Sequence, residues 1–210
     1  MANYYVACME GNRQNVFEVY NKIGDWFAEN RPQGLIEKYY LDKVIELIPA
    51  RGNILDVGCG TGIPIMNYFL DNDFTVTGLD ASEKMLNIAK SNFPEADLVL
   101  SDMRKLNLSK KYDALIAWHS FFHLPAADQP DMFVKFGEHL NPGGILLFTS
   151  GSENGEAWGV NGGENLFHAS LDTEEYEKLL KKHHFKILIH KINDPGCGNA
   201  TVWLVQYIPQ

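Results

Sequence analysis

The stretch Asn53–Ile65, NILDVGCGTGIPI, sets three glycines within five residues directly after an apolar run, and its reading decides the fold. A strand that runs into glycines and then into a helix brings backbone N–H groups close to a ligand, where a side chain would block the approach. Gly58, Gly60 and Gly62 form G-x-G-x-G. A dinucleotide loop follows G-x-G-x-x-G, and Ile63 stands where that pattern needs its third glycine. The loop by itself fits both a ligand cradle and a bare strand–helix turn, and two carboxylates separate these. Asp80 ends the next apolar run, 18 residues after Gly62, where a doubly wound fold sets a carboxylate to accept from both ribose hydroxyls. Asp102 ends the third run, in LVLSDMRKL, where it can accept from an adenine amino group with Met103 beside the ring. Three strand ends thus converge on one nucleoside-shaped ligand.

Outward from the loop, short apolar runs alternate with helical patterns. Upstream, Val16, Phe17, Val19, Tyr20 and Ile23 recur at helical spacing, ENRPQG breaks the pattern and LIEKYYLDKVIELI resumes it. Downstream, IPIMNYFLDN, SEKMLNIAKSNF and QPDMFVKFGEHL read as helices, the last stopped by NPGG; FTVTGLD, ADLVLSD, YDALIAW and GILLFTS read as strands. Fully apolar strands such as DALIAW suit central positions covered on both faces, so the pattern predicts an α/β fold: a doubly wound, Rossmann-like, mostly parallel sheet. The segment from Gly151 to Asp172 is polar, rich in glycine and without a clear period, and reads as a lid or binding loop, or as disordered. TEEYEKLLKKHH is a further helix, and FKILIHKI and ATVWLVQYI, joined by NDPGCGN, read as an antiparallel pair. The chain reads as a single domain over 1–210. It has a helical cap in 1–50, a cofactor-binding half in 51–150, and a lid, helix and C-terminal hairpin in 151–210.

Composition narrows the function. A net charge of −9 and a pI near 5.2 repel phosphate backbones and anionic lipid, so no nucleic-acid or membrane partner is expected. The one basic patch, Lys181–Lys186, falls at a predicted helix end, where cations offset the helix dipole. The start lacks a signal-peptide pattern, and no run approaches the roughly 20 apolar residues that span a bilayer. Cys8, Cys59 and Cys197 are odd in number and far apart, which fits a reducing cytoplasm and predicts neither disulfide nor metal.

ILDVGCGTG, VTGLDAS, SDMRKL, YDALIAWHSFFHL and LNPGGILLFTSG resemble the ordered motifs of the class I S-adenosylmethionine-dependent methyltransferases. The resemblance implies a seven-stranded sheet with an antiparallel last strand, S-adenosylmethionine as cofactor, and methyl transfer to an O, N or S atom of a small molecule. It implies that Gly58, Cys59 and Gly60 face the methionine part through their backbone, with Asp56 below the loop, either as a contact or as an orienter. Asp80 would hold the ribose, Ala81 and Met85 border the adenosine, Asp102 and Met103 hold the adenine, and Trp118 borders the sulfonium. VYNKIGDWFAENRPQGLIEKYYLDKVI, HASLDTEEYEKLLKKHHF and DPGCGNATVWLV resemble a bacterial subgroup of small methyltransferases. There the fourth strand often ends in WDSFFHL; here His119 stands in place of the aspartate, so no required catalytic role is expected of it.

A sulfonium methyl is already electrophilic, so such an enzyme mainly aligns a nucleophile and excludes water. His123, in SFFHL, is the candidate base for a hydroxyl or protonated amine acceptor; its alternative is a histidine bonding to backbone. Tyr20 and Trp26 are expected to divide their faces between core and cofactor cover. Trp118, Phe121, Phe122 and Trp158 are candidate acceptor walls, with His168 and Glu156 on the closing loop. Arg31 is a candidate contact for an acidic substrate. The rival readings are a noncatalytic S-adenosylmethionine-binding sensor or scaffold, a protein or RNA methyltransferase, and a nicotinamide oxidoreductase, which the early third glycine disfavours.

Overall fold

The centre of the sheet is β1 (Asn53–Val57), whose side chains alternate between two buried faces. The computed structural model describes residues 12–32 and 34–209; Cys8 and the chain start lie outside them. β1 pairs in parallel with β2 (Thr75–Asp80) on one side and β4 (Tyr112–Ala117) on the other; β3 (Asp97–Leu100) adds to β2 and β5 (Leu140–Ser150) to β4. The last strand, β9 (Ala200–Tyr207), runs antiparallel between β5 and β8 (Phe185–Asp194), giving the order β3-β2-β1-β4-β5-β9-β8. This is the expected seven-stranded, mostly parallel sheet with its reversed final strand.

Period-2 alternation divides the core between the two faces. Leu55, Val57, Leu115, Phe148 and Trp203 pack against α5 (Gln129–His139) and α6 (Thr173–Lys182). Ile54, Val76, Ile116, Leu147 and Leu204 pack against α2 (Lys38–Leu47) and α3 (Ile65–Asp71). Helix α4 (Glu83–Asn92) starts on Ser82, whose Oγ accepts from Met85 N at 3.2 Å, and α6 on a capping box of Asp172 and Glu175.

Two expectations change. The segment from Gly151 to Asp172 is neither a plain loop nor disordered: β6 (Gly155–Asn161) and β7 (Glu164–Ser170) form an antiparallel hairpin. Its turn is Gly162–Gly163, with φ of 55° and 81°, a left-handed conformation that glycine adopts without strain. β7 carries Leu166, Phe167 and Ala169 into a third, smaller core with Val16 and with Val19 and Ile23 of α1 (Phe17–Asn30). NPGG also does more than stop α5. It lies inside β5, where pairing jumps from Tyr112↔Leu140 to Ala114↔Ile145 and Gly143 takes a φ of 84°. The bulge lets one strand follow directly on the helix.

Register sets the strand ends level. Val57 pairs with Leu79 and Asp80 with Leu100, so Gly58, Asp80 and Asp102 emerge along one edge, and α1 with the β6–β7 hairpin is the cap there. Among the described residues no helix is long and apolar enough to cross a membrane.

Candidate functional site

After β1 the chain turns through Gly58, Gly60 and Gly62, with φ of 79°, 57° and 78°. A Cβ on Gly58 would stand 2.3 Å from Ser120 Cβ and one on Gly62 2.7 Å from the Phe93 ring, so close packing demands glycine at both. Gly60 differs: a Cβ there would meet no atom within 4 Å, and the residue lines a cavity. The sequence argument supposed free N–H groups here. Instead Gly58 N and Cys59 N donate to Leu79 O at 2.7 and 3.0 Å, and Gly60 N donates to Asp80 Oδ2 at 2.8 Å. The loop is thus shaped by its own donors, and what it presents to a ligand is its bare surface.

Asp80 anchors that shape. Its second oxygen accepts from Ser82 N at 2.8 Å, and the residue lines the cavity. Burial pushes its pKa up, against backbone N–H bonds that favour the ionised form. Ala81, Met85, Leu79 and Met103 continue the apolar wall. Asp102 is turned onto Arg104: its oxygens accept from Arg104 N at 2.9 Å, Nε at 3.0 Å and Nη2 at 2.5 Å. Burial opposes its ionised form, yet the guanidinium outweighs it and holds the carboxyl below its usual range. Arg104 goes on to Asp128, to Gln14 O at 2.9 Å and to Asn15 Oδ1 at 3.3 Å, tying this edge to the chain ahead of α1. Arg104 is a site residue that sequence reasoning missed; its spacing of two from Asp102 was the available signal.

A second cavity of about 350 Å³ shares a wall with the first. Tyr20, Arg31, Trp118, His119 and His123 line both. The far side is made by Ile36 and Glu37 ahead of α2, by Phe122, and by Gly159, Val160, Leu166 and His168 of the hairpin. Trp118 Nε1 is buried and without a hydrogen-bond partner among the described residues. Burial raises the pKa of Glu37, its own backbone bond and Arg31 acting the other way. The predicted base, His123, has both ring nitrogens engaged: Nδ1–H donates to Phe167 O at 2.8 Å, which leaves Nε2 to accept from Tyr20 Oη–H at 3.0 Å. Burial lowers its pKa to about 3, so it is neutral at physiological pH.

The remaining candidates divide. Phe122 and His168 reach the second cavity; Phe121 lies in the core among Phe133, Phe136 and Phe148. Trp26 is exposed, set against the hairpin turn at Gly162, and covers neither cavity. Trp158 packs edge-on against Phe167, and Glu156 pairs with Arg13, so it is the hairpin backbone around Gly159 that walls the cavity. Cys59 Sγ and Asp56 lie beneath the loop, both buried.

A mostly parallel sheet with a glycine turn after β1 and carboxylates at or just after the ends of β2 and β3 is a Rossmann-like arrangement. Residues 54–144 match the family model described as a methyltransferase domain. The chain is 34% identical over 108 residues to the dTDP-3-amino-3,4,6-trideoxy-alpha-D-glucopyranose N,N-dimethyltransferase of Streptomyces venezuelae, covering 50% of this chain and 45% of that one. It is 34% identical over 101 residues to the dTDP-3-amino-3,6-dideoxy-alpha-D-glucopyranose N,N-dimethyltransferase of Streptomyces fradiae, covering 47% and 39%. The matched stretch spans less than half the length of these curated relatives. Among solved structures, an S-adenosylmethionine-dependent methyltransferase from Clostridium acetobutylicum superposes with a TM-score of 0.71 at 18% identity, covering 91% of this chain and 100% of that one. The 1,6-didemethyltoxoflavin-N1-methyltransferase of Burkholderia thailandensis does so with a TM-score of 0.70 at 15% identity, covering 100% and 91%. Residues 54–144 are thus similar to a methyltransferase domain, and the chain has the fold of the S-adenosylmethionine-dependent methyltransferase from Clostridium acetobutylicum.

Proposed function

We propose that this protein binds S-adenosylmethionine in the first cavity and transfers its methyl group to an O, N or S atom of a small molecule in the second. The observation that carries this is the shared wall: one cavity has a side-chain-free glycine surface with a carboxylate beside it, and it opens along Trp118 onto an aromatic chamber. In this reading the carboxylate of Asp80 takes the ribose hydroxyls. Ala81, Met85 and Met103 flank the adenine, whose amino group meets the Asp102–Arg104 edge. Gly60 gives the methionine part room, and Arg31 is the cation on the wall for its carboxylate. Support for a small acceptor comes from the dimensions of the chamber and from the relatives, which act on sugar nucleotides by their names.

S-adenosylmethionine supplies an electrophilic sulfonium methyl, so no side chain needs to act as a covalent nucleophile. The chain's work is to position and to exclude water, and alignment of this kind supplies up to roughly 7 to 11 kcal/mol in ideal systems. Tyr20 and His123 hold each other in one geometry between the cavities, and α1 with the hairpin closes the chamber over the acceptor.

Titration calorimetry with S-adenosylhomocysteine tests this reading; a folded protein that gives no heat of binding overturns it. Asp80→Asn keeps an acceptor for Gly60 N but loses the charge, and is expected to weaken binding by about 1 to 3 kcal/mol. Unchanged affinity would remove Asp80 from the ribose.

A further inference from the structure

His119 lies at the centre of the wall between the cavities, and nothing in the reading above uses it. It follows β4 with a φ of 50°, a left-handed conformation uncommon outside glycine and costly for a histidine. The surrounding structure holds it there: its N–H donates to Oγ1 of Thr149, a fully buried residue, at 2.9 Å. Its ring is exposed where it lines both cavities, edge-on to Trp118 at 5.3 Å and tilted to Phe122 at 5.7 Å. Among the described residues neither ring nitrogen has a hydrogen-bond partner, in contrast to His123, where both are taken.

We propose that His119 faces the methyl acceptor and takes its proton, and that the acceptor is a small, uncharged aromatic or heteroaromatic compound bearing an O–H or N–H group. This rests on the methyl-transfer reading. The chamber's rings, Tyr20, Phe27, Trp118, Phe122 and the imidazoles of His119 and His168, offer stacking faces to a flat molecule. The titratable and charged groups around His119 are Arg31, Glu37, Tyr20, His123 and His168. Burial, with Arg31 and His168, lowers its pKa to about 4, so at physiological pH its free nitrogen carries a lone pair.

A weak base suffices for this chemistry. The acceptor atom bonds to the methyl carbon with its lone pair while the carbon–sulfur bond breaks, its electron pair remaining on sulfur to give S-adenosylhomocysteine. The acceptor atom becomes acidic as this bond forms, so its proton passes to the imidazole in the same transition state and from the imidazolium to water.

The test uses His119→Asn, since asparagine accepts the left-handed backbone and the variant can keep the fold. The probes are phenol and aniline, which must lose a proton, and 4-nitrobenzenethiol, already a thiolate at neutral pH. Tritiated methyl transfer to the first two is expected to fall by roughly 10²- to 10⁴-fold, at least about tenfold more than transfer to the thiolate. Equal loss with all three probes, or none, overturns the proposal. A second readout does not need turnover. In ¹⁵N-histidine spectra of the complex with S-adenosylhomocysteine, the resonance missing from His119→Asn is expected to shift when phenol is added. A resonance that stays in place, with calorimetry still showing S-adenosylhomocysteine bound, overturns the role of His119 and leaves the methyl-donor reading standing. Absent heat sinks that reading instead.

Discussion

Asp56 lies buried beneath the glycine loop, and its carboxyl is pushed up to about 7, first by burial, with Asp80 and Glu37 adding to the rise and Arg31 opposing it. The folded protein therefore holds the acid form more tightly than the unfolded chain, whose aspartate titrates near pH 4. Stability from this group is complete below about pH 4 and is lost as pH rises through about 7. Asp56→Asn keeps a neutral, isosteric side chain and removes the titration. In urea unfolding the two proteins should approach one another at pH 4, and the variant should become the more stable, on the order of a few kcal/mol, by pH 8. An offset that does not change with pH would mean that Asp56 has the same pKa in the folded and the unfolded chain. The same burial argument explains why Asp56 was legible as a residue below the loop while its preferred charge state was not. The motif shows a carboxylate; only the packing of Ile54, Val57 and the neighbouring strands shows how little water reaches it.

The cap has a core of its own: Val16, Val19, Ile23, Leu166, Phe167 and Ala169, distinct from the two sheet-face clusters. It is pinned to the sheet domain by Asn21, whose Oδ1 accepts from Ser82 Oγ at 2.8 Å, and by Lys84 with Asp25 at 2.7 Å. Phe167→Ala, at a fully buried position, should cost about 3 to 5 kcal/mol where it acts. The loss should be local: amide exchange in α1, β6 and β7 accelerates together while β1 and β4 keep their protection. Acceleration of all of them alike would make the cap and the sheet one unit. The hairpin is also the element that sequence reading missed. β1, β4 and β5 announce themselves because strands covered on both faces need unbroken apolar runs. The hairpin's polar and glycine residues hid the alternation of Trp158 and Val160 in β6 and of Phe167 and Ala169 in β7. Gly162–Gly163 between two such runs was the hairpin signal available. The sequence shows His119 only as a departure from the subgroup's aspartate, because a left-handed backbone just past a strand cannot be recognised from the side-chain type alone.

At the scale of the whole molecule, ligand binding and stability are linked. S-adenosylhomocysteine at 100 times its dissociation constant should stabilise the native state by about 2.7 kcal/mol. For a chain of this length that is a rise in melting temperature of roughly 5 to 11 °C, readable by differential scanning calorimetry. Asp80→Asn should show a smaller rise at the same concentration, and an equal one would dissociate that carboxylate from the ligand. The shared wall has a consequence of its own. Tyr20, Arg31, Trp118, His119 and His123 each border both cavities, so whatever orders them for one ligand has already met that entropic cost for the other. With donor and acceptor seated as proposed, the two are expected to be coupled reciprocally: the factor by which bound S-adenosylhomocysteine tightens an acceptor equals the factor by which that acceptor tightens S-adenosylhomocysteine. Dead-end complexes should accordingly bind more tightly than the two separate affinities predict, which makes product release a candidate for the slow step of turnover.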